Sequence, residues 1–293
     1  MSSQGNGLVD ADITIRRATS VADYRACQEA QRRSWGITEE GYVVPVATMV
    51  GANLHGGMVL GAFLPDGRAA ALSFGFLGRV GDRICLYSQL TGVVPEYQSR
   101  GLGYAVKRVQ RYLARAEGLR LVAWAFDPLQ AGNAHFNIQR LGARSCRYID
   151  NMYGERTDAL NAGVPTDRLI VEWEIEPEEK PAPKTTPEVD SLLSSPRLIA
   201  TRQSSAGVIL PEAVESVADA TRLLLEIPAR IAELRQAQPE LAESWRQAVH
   251  DAFHAGFAAG YQAFGFFREE TAPERRCYYV LERMRAAEAS GAV

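Results

Sequence analysis

Gln98-Ser-Arg-Gly-Leu-Gly103 is the stretch whose residue types and spacing could do chemistry. An apolar, β-prone run ends at Val94, and Pro95 stops it because proline cannot donate to a sheet ladder. Gly101 and Gly103 follow. Beyond them Leu102, Val106, Val109, Leu113 and Ala116 recur at helical spacing, with Gly118 as the stop. The order strand, glycine turn, helix N-terminus suits an anion, above all a phosphate. The first helical turn has unpaired N–H groups and about half a positive charge from the macrodipole, and glycine lets the backbone come close. Glycine spacing alone fits an ordinary strand-to-helix turn equally well. No Gly-Lys-Ser/Thr follows, which excludes a Walker loop, and only two of the three glycines of a dinucleotide fingerprint are present.

A more particular pattern is Gln-x-x-Gly-x-Gly directly after Val-x-Pro-Glu-Tyr. It resembles the coenzyme-A loop of the GNAT superfamily of acyl-CoA-dependent N-acyltransferases. The resemblance implies that backbone N–H groups of Gln98, Ser99, Arg100, Gly101, Leu102 and Gly103 hold pyrophosphate, with Tyr104 opening the helix and Arg100 in reach of phosphate. It implies that the end of the fourth strand, Gly92–Val94, pairs through Val93 and Val94 with pantetheine and offers an N–H to the thioester oxygen. Asn133 stands where many relatives contact the cofactor with an asparagine. The co-substrate is then acetyl-CoA or a larger acyl-CoA such as succinyl-CoA, with no metal, and the acceptor a small-molecule or amino-acid-like amine. A bacterial subgroup with a C-terminal α/β extension is similar over nearly the whole chain. It shares Trp245-Arg246, the run Asn151, Tyr153, Gly154, Glu155, and Pro165, Asp167, Arg168.

Amide formation from a thioester also needs a neutral amine, a stabilised oxyanion and a protonated thiolate. Here the sequence departs from the superfamily. The tyrosine that many relatives place four residues before the glycine ending this helix is Ile138, between Asn137 and Gln139. Tyr153, a water or no acid at all serves the thiolate. The fourth strand has no glutamate and reads Tyr87-Ser88-Gln89, so Gln89 and Asp127, at the end of the fifth strand, are the catalytic candidates. A site without an obvious base suits an α-amine (pKa about 7.7–8.0) better than a lysine (about 10.4). Trp35 and Asn137 are candidate acceptor contacts, and the loop Asn151–Arg168 brings Arg156, Asp167 and Arg168 to the same task, an arginine able to grip a carboxylate with two hydrogen bonds. A solvated connector is the plain alternative for that loop.

Two patterns carry less. His250-Asp-Ala-Phe-His254 mimics the zinc motif His-Glu-x-x-His, but only His55 and His135 remain as histidine third ligands, and no metal is expected. Lys107, Arg111 and Arg115 form a basic row on the helix after the glycine loop, expected to be a solvated face.

The elements that must position these residues follow the order β-α-α-β-β-β-α-β-α-β-β over residues 13–175. That is the order of the GNAT fold: an α/β layout with a mixed, mostly antiparallel sheet flanked by helices. Residues 1–12 read as a frayed, disordered end and 176–196 as a proline- and charge-rich linker. Residues 197–293 read as a small βαββ extension docked on the first domain. Net charge −3 over 293 residues gives no case for nucleic acid or an acidic membrane, and no apolar run suits a membrane span. Four scattered cysteines and the lack of a signal-like N-terminus lead us to expect buried thiols and a cytoplasmic protein. A homodimer is left open. A non-catalytic acyl-CoA-binding module, a transferase for peptide or protein amines, and a lyase of the same fold are the rival readings.

Overall fold

The computed structural model describes residues 12–156, 163–175, 189–204, 208–214, 219–269 and 275–284. The chain forms two compact units: Met1–Trp124 with Glu155–Val164 and Glu174–Pro177, and Ala125–Gly154 with Pro165–Trp173 and Glu178–Val293. The expected frayed residues 1–11 and the linker residues 176–188 lie outside the described residues.

In the first unit, β1 (Thr14–Arg17), β2 (Met58–Phe63), β3 (Ala69–Val80) and β4 (Arg83–Val93) pair antiparallel in sequence order. β5 (Leu121–Phe126) joins β4 in parallel at Leu86↔Val122 and Tyr87↔Ala123. All six residues of β2 are buried, because helices cover both faces. On one face α1 (Val21–Trp35) and α2 (Val46–Leu54) pack Tyr24, Cys27 and Met49 against Val59, Leu72 and Phe74. On the other, α3 (Leu102–Ala116) sets Leu102 and Val106 against Ala62, Ala70 and Ala71. Ser20 caps α1 in a reciprocal capping box with Asp23, as its sequence suggests. The face of α3 that turns inward is Leu102, Val106, Lys107, Gln110 and Ala114. Lys107 is therefore not on the solvated row that its spacing with Arg111 and Arg115 implies.

The second unit holds α4 (Ala131–Ala134), a π-helical turn His135–Arg140, β6 (Arg144–Ile149) and β7 (Arg168–Glu174). The C-terminal residues share this unit with β6 and most of β7, and they bury a cluster of their own: Leu192, Leu224, Phe267, Tyr278 and Val280. The hairpin β11 (Tyr261–Glu269) and β12 (Arg276–Arg283) pairs with β6 at Ala263↔Ser145, and β10 (Arg222–Pro228) pairs with β12, all antiparallel. Two additions escape the sequence reading: a helical turn α5 (Val189–Leu193) within the expected linker, and the hairpin β8 (Ile199–Gln203) with β9 (Ile209–Val214). α6 (Ile231–Ala237) and α7 (Pro239–Ala258) complete the unit, α7 burying Trp245, Val249, Ala252 and Phe253. From β1 to β7 the element order is that of the GNAT fold, and the expected βαββ extension is found as β10, two helices, β11 and β12, preceded by the β8–β9 hairpin.

Cys27, Cys85 and Cys277 are buried free thiols, and burial pushes the Cys27 thiol up to about 12, so it has no thiolate to offer at neutral pH. Among the described residues no helix is long and apolar enough to cross a membrane. One buried ion pair carries much of the second unit. Arg276 Nε donates to Glu226 Oε1 (2.7 Å), its Nη2 to Glu226 Oε2, and Glu226 is only 3% exposed. Arg276→Ala leaves that carboxylate with Arg197 alone, at 4.0 Å. The expected loss of stability is about 3 kcal/mol, the low end for a broken buried pair, readable as a lower urea midpoint.

Candidate active site

β4 changes character halfway. Phe74 faces Leu90 and Phe76 faces Tyr87, so Ser88 and Gln89 together oppose the single residue Gly75. This is a β-bulge, which inserts one residue, bends the strand and shifts the side-chain alternation. The shift is visible: Ser88 and Thr91, three apart, present hydroxyls 3.4 Å from each other, whereas a regular strand would put them on opposite faces. The parallel pairing with β5 covers only Leu86 and Tyr87, and the bulge begins immediately after it. From Leu90 to Val93 the strand pairs with β3, and its pairing with β5 does not extend to these residues. Gln89, a sequence candidate, lies in the bulge itself.

The glycine loop comes next. Pro95–Tyr97 forms a 3-10 turn, and the Gln98 side chain donates to the Val93 carbonyl (2.9 Å), tying the loop to the strand end. Ser99 (φ 61°) and Gly101 (φ 82°) are both left-handed. Left-handed residues in such a run turn successive backbone N–H groups toward one concavity, an anion nest. Gly101 is the N-cap of α3, and no side chain caps the first turn. Leu102 is buried, while Ser99, Arg100 and Gly101 are exposed. Arg100 stacks over the Tyr97 ring at 5.6 Å.

Gly92 has a separate reason to be glycine. A Cβ there would come within 2.5 Å of the Trp35 ring and 2.9 Å of Ser34 Cβ. Trp35 therefore lies directly on the β4 backbone, and Ser34 Oγ, buried and without a hydrogen-bond partner, lies beside it. Gln31 holds the segment after α1 by donating to Tyr42 O and accepting from Val44 N (both 3.1 Å). The Arg156 guanidinium stacks on the Tyr42 ring at 4.1 Å.

Beneath β4 lies a network that sequence reasoning missed. Lys107 Nζ donates to Ser88 Oγ (2.9 Å) and Gln110 Oε1 (3.0 Å), and sits 4.1 Å from the Trp124 ring centroid. Gln110 Nε2 donates to Ser73 Oγ (2.8 Å) and Ser88 Oγ (3.1 Å). The lysine is 2% exposed, and desolvation pulls its pKa down to about 7. The network joins α3 to β4 at the bulge, so the helix after the glycine loop and the bulged strand are held by one set of buried hydrogen bonds.

In the second unit, Asp127 Oδ1 accepts from Leu129 N (2.9 Å) and Oδ2 from Gln130 Nε2 (3.4 Å). It caps its own turn. The C-terminal extension braces that turn: buried Tyr279 donates to Pro128 O (2.7 Å). Phe266 N donates to Gln139 Oε1 (3.4 Å) on the π-helical turn, where Asn137 and Ile138 are buried and Asn133 is exposed. Asp167 has a structural role within its own unit. Its oxygens accept from Tyr148 OH (3.0 Å) and Asn151 N (2.9 Å), so the fold itself uses it. Arg168 is 8% exposed, donates to the Asp167 carbonyl (2.8 Å) and lies 5.3 Å from the Tyr153 ring centroid. Thr166, fully buried, knits the loop through Tyr153 N and Asn151 Oδ1. Asp158 and Asn161 of the same loop lie outside the described residues.

The sequence candidates thus fall into two groups: Trp35, Gln89, Val93, Val94, Gln98–Tyr104 and Arg156 in the first unit, and Asp127, Asn133, Asn137, Tyr153, Asp167 and Arg168 in the second. No protein-family model matches the chain, and no curated protein matches it. Solved structures do. An N-acetyltransferase from Staphylococcus aureus Mu50 is 12% identical (TM-score 0.45; 57% of this chain, 100% of that one). A GNAT superfamily phosphinothricin acetyltransferase from Sinorhizobium meliloti, in complex with AcCoA, is 18% identical (0.44; 59% and 97%). The ribosomal-protein-S18-alanine N-acetyltransferase from Escherichia coli is also 18% identical (0.44; 57% and 98%). The likeness is one of fold, and the chain's own element order from β1 to β7 is the GNAT order.

Proposed function

We propose that the protein is an acyl-CoA-dependent N-acyltransferase acting on a small-molecule or amino-acid-like amine. The observation that carries this is the conjunction, in one unit, of an uncapped glycine N-terminus on α3 with a bulged β4 whose edge is left open. The N–H groups of Ser99–Gly103 take the pyrophosphate, with Arg100 beside them. The edge at Gly92–Val94 pairs with the pantetheine amides and offers one N–H to the thioester oxygen. A bound amine attacks the thioester carbonyl directly. The C–N bond forms, the C–S bond breaks, and the CoA thiolate leaves and is protonated by solvent.

The acceptor lies against Trp35, with Arg156 as the guanidinium for an acceptor carboxylate. Arg168 is already engaged with the Asp167 carbonyl. Gln89, in the bulge of β4, supplies an amide rather than a base, and Asp127, its Oδ1 bound to Leu129 N, stays the carboxylate candidate for that role. Deprotonation then rests largely on the acceptor. We expect kcat/KM to rise with pH up to the acceptor's own pKa, near 8 for an α-amine, and the profile to move with the amine used. A profile unchanged between an α-amine and a lysine-like amine would reject this.

The deciding experiment is thiol release from acetyl-CoA, succinyl-CoA and other acyl-CoAs against mixed amines and amino acids, beside CoA-binding calorimetry. Release that requires an amine establishes the transferase and names both substrates. Tight binding without release under any amine favours a non-catalytic acyl-CoA sensor, the reading to which the missing tyrosine at Ile138 points. Release only with peptide amines moves the acceptor class.

A further inference from the structure

Asp150, immediately after β6, lies against His250 and His254, one turn apart on α7. His254 Nε2 is 2.8 Å and His250 Nε2 3.3 Å from the same oxygen, Asp150 Oδ1. The three ligand atoms all lie within 4.8 Å of one another. Two histidines four apart on a helix share a face, and here the third donor comes from a strand 104 residues away.

We propose that Asp150, His250 and His254 form a binding site for a divalent first-row transition ion, with zinc as the reference ion. Two histidines and one carboxylate, with the remaining positions open to water, are a familiar donor set for such ions. Bonds of about 2.0–2.2 Å at a tetrahedral angle place ligand atoms about 3.3 Å apart. The two nitrogen–oxygen separations are 2.8 and 3.3 Å, so an ion fits between the groups after a shift of about half an ångström. The side chains are 60%, 29% and 45% exposed, which gives the ion an entry path and leaves room for water.

The His250 ring is also oriented from its far side. His250 Nδ1 lies 2.8 Å from Asp251 Oδ1, and a carboxylate accepts, so Nδ1 is the donor there and Nε2 is the atom turned toward Asp150. Asp251 is fixed in turn by Gln247 Nε2 (2.8 Å). A carboxylate that orients the far side of a ligating imidazole is the usual outer support of a metal site. Beneath, the Tyr148 ring packs against both imidazoles, with centroids 5.5 and 5.2 Å away, and closes the inner side.

The test uses the full-length chain without a polyhistidine tag, stripped with a chelator and dialysed. Co2+ is added with visible absorption as the readout, and Zn2+ with calorimetry and thermal melting. The expected result is one ion per chain, Co2+ bands displaced by Zn2+, and a raised melting temperature. His254→Ala and Asp150→Asn should each abolish stoichiometric binding, and Asp251→Asn, which touches no ion, should weaken it about 10- to 100-fold. All these side chains are at least partly exposed, so the variants should melt as the metal-free wild type does to within a few degrees. Wild type that binds no ion stoichiometrically, or binding that survives His254→Ala unchanged, overturns the proposal. So does a site that answers to protons alone, with Asp150→Asn altering the pH dependence of melting while Zn2+ has no effect.

Discussion

Gly101→Asp should weaken CoA binding about a hundredfold while leaving the fold intact. A Cβ at this position meets nothing within 4 Å, so no clash accompanies the change. The φ of 82° is one that aspartate and asparagine tolerate better than other side chains do. What changes is charge. A carboxylate at the N-cap faces the pyrophosphate that the uncapped first turn would otherwise hold. Two unit charges about 5 Å apart repel by about 1 kcal/mol in bulk water and about 3 kcal/mol at an effective dielectric near 20. The exposed loop lies between these limits, and a pyrophosphate carries more than one charge, so about 2–3 kcal/mol, or two decades of affinity, is expected. Gly101→Asn is the control, with the same shape and backbone demand but no charge, and it should stay within a few-fold of wild type. Calorimetry of CoA against both variants decides the matter. Equal loss in the two would mean that backbone geometry, not anion recognition, governs the loop. No loss in either would move the phosphate site elsewhere.

Lys107→Met should remove a pH dependence of stability that the wild type shows between about pH 7 and 10.5. Burial holds the folded lysine near 7, against 10.5 for the free side chain. Inside that window the unfolded chain binds more protons than the folded one, so wild-type stability rises with pH. At about 1.4 kcal/mol per pH unit, the whole window amounts to about 5 kcal/mol. Below pH 7 the folded protein buries a charge over Trp124, and methionine relieves that cost. Above 10.5 the neutral amine still donates to Ser88 and Gln110, whereas methionine leaves Gln110 Oε1 without a donor, a cost of about 1–3 kcal/mol. The variant should therefore be the more stable at pH 6 and the less stable at pH 10. Urea midpoints at several pH values give both curves. Parallel curves would show that the lysine titrates normally, through an opening of the α3–β4 network.

How much of this was readable beforehand depended on the range of the interaction. The order of elements was local and came through in the sequence, β-α-α-β-β-β-α-β-α-β-β over residues 13–175. The glycine loop was local too, since Gln98, Gly101 and Gly103 lie within six residues of one another. The β4 bulge was not, because it exists only in the register of β4 against β3, and nothing in Tyr87-Ser88-Gln89 marks an extra residue. Residues with one plausible local role acquired another through partners far along the chain. Asp167 reads as an acceptor contact until Tyr148 and Asn151 claim both its oxygens. His250 and His254 mimic a zinc motif for which the sequence offers only His55 and His135 as a histidine third ligand, whereas the fold brings a carboxylate, Asp150, to them.

Lys107 shows the division most clearly. Its spacing with Arg111 and Arg115 describes a basic stripe, and helix periodicity carries no information about which stripe turns inward. Only the packing of α3 on β3 and β4 decided that, because Ser73, Ser88 and Gln110 together offered the polar partners that let a lysine be buried. The sequence by itself determined the element order and the glycine turn before α3, since each depends on backbone preferences and neighbours a few residues apart. The tertiary structure decided the open strand edge, the buried lysine network and the histidine–carboxylate cluster. Those depend on strand register and on which distant polar groups meet inside or at the rim of the core, where an unpartnered group costs too much to be tolerated.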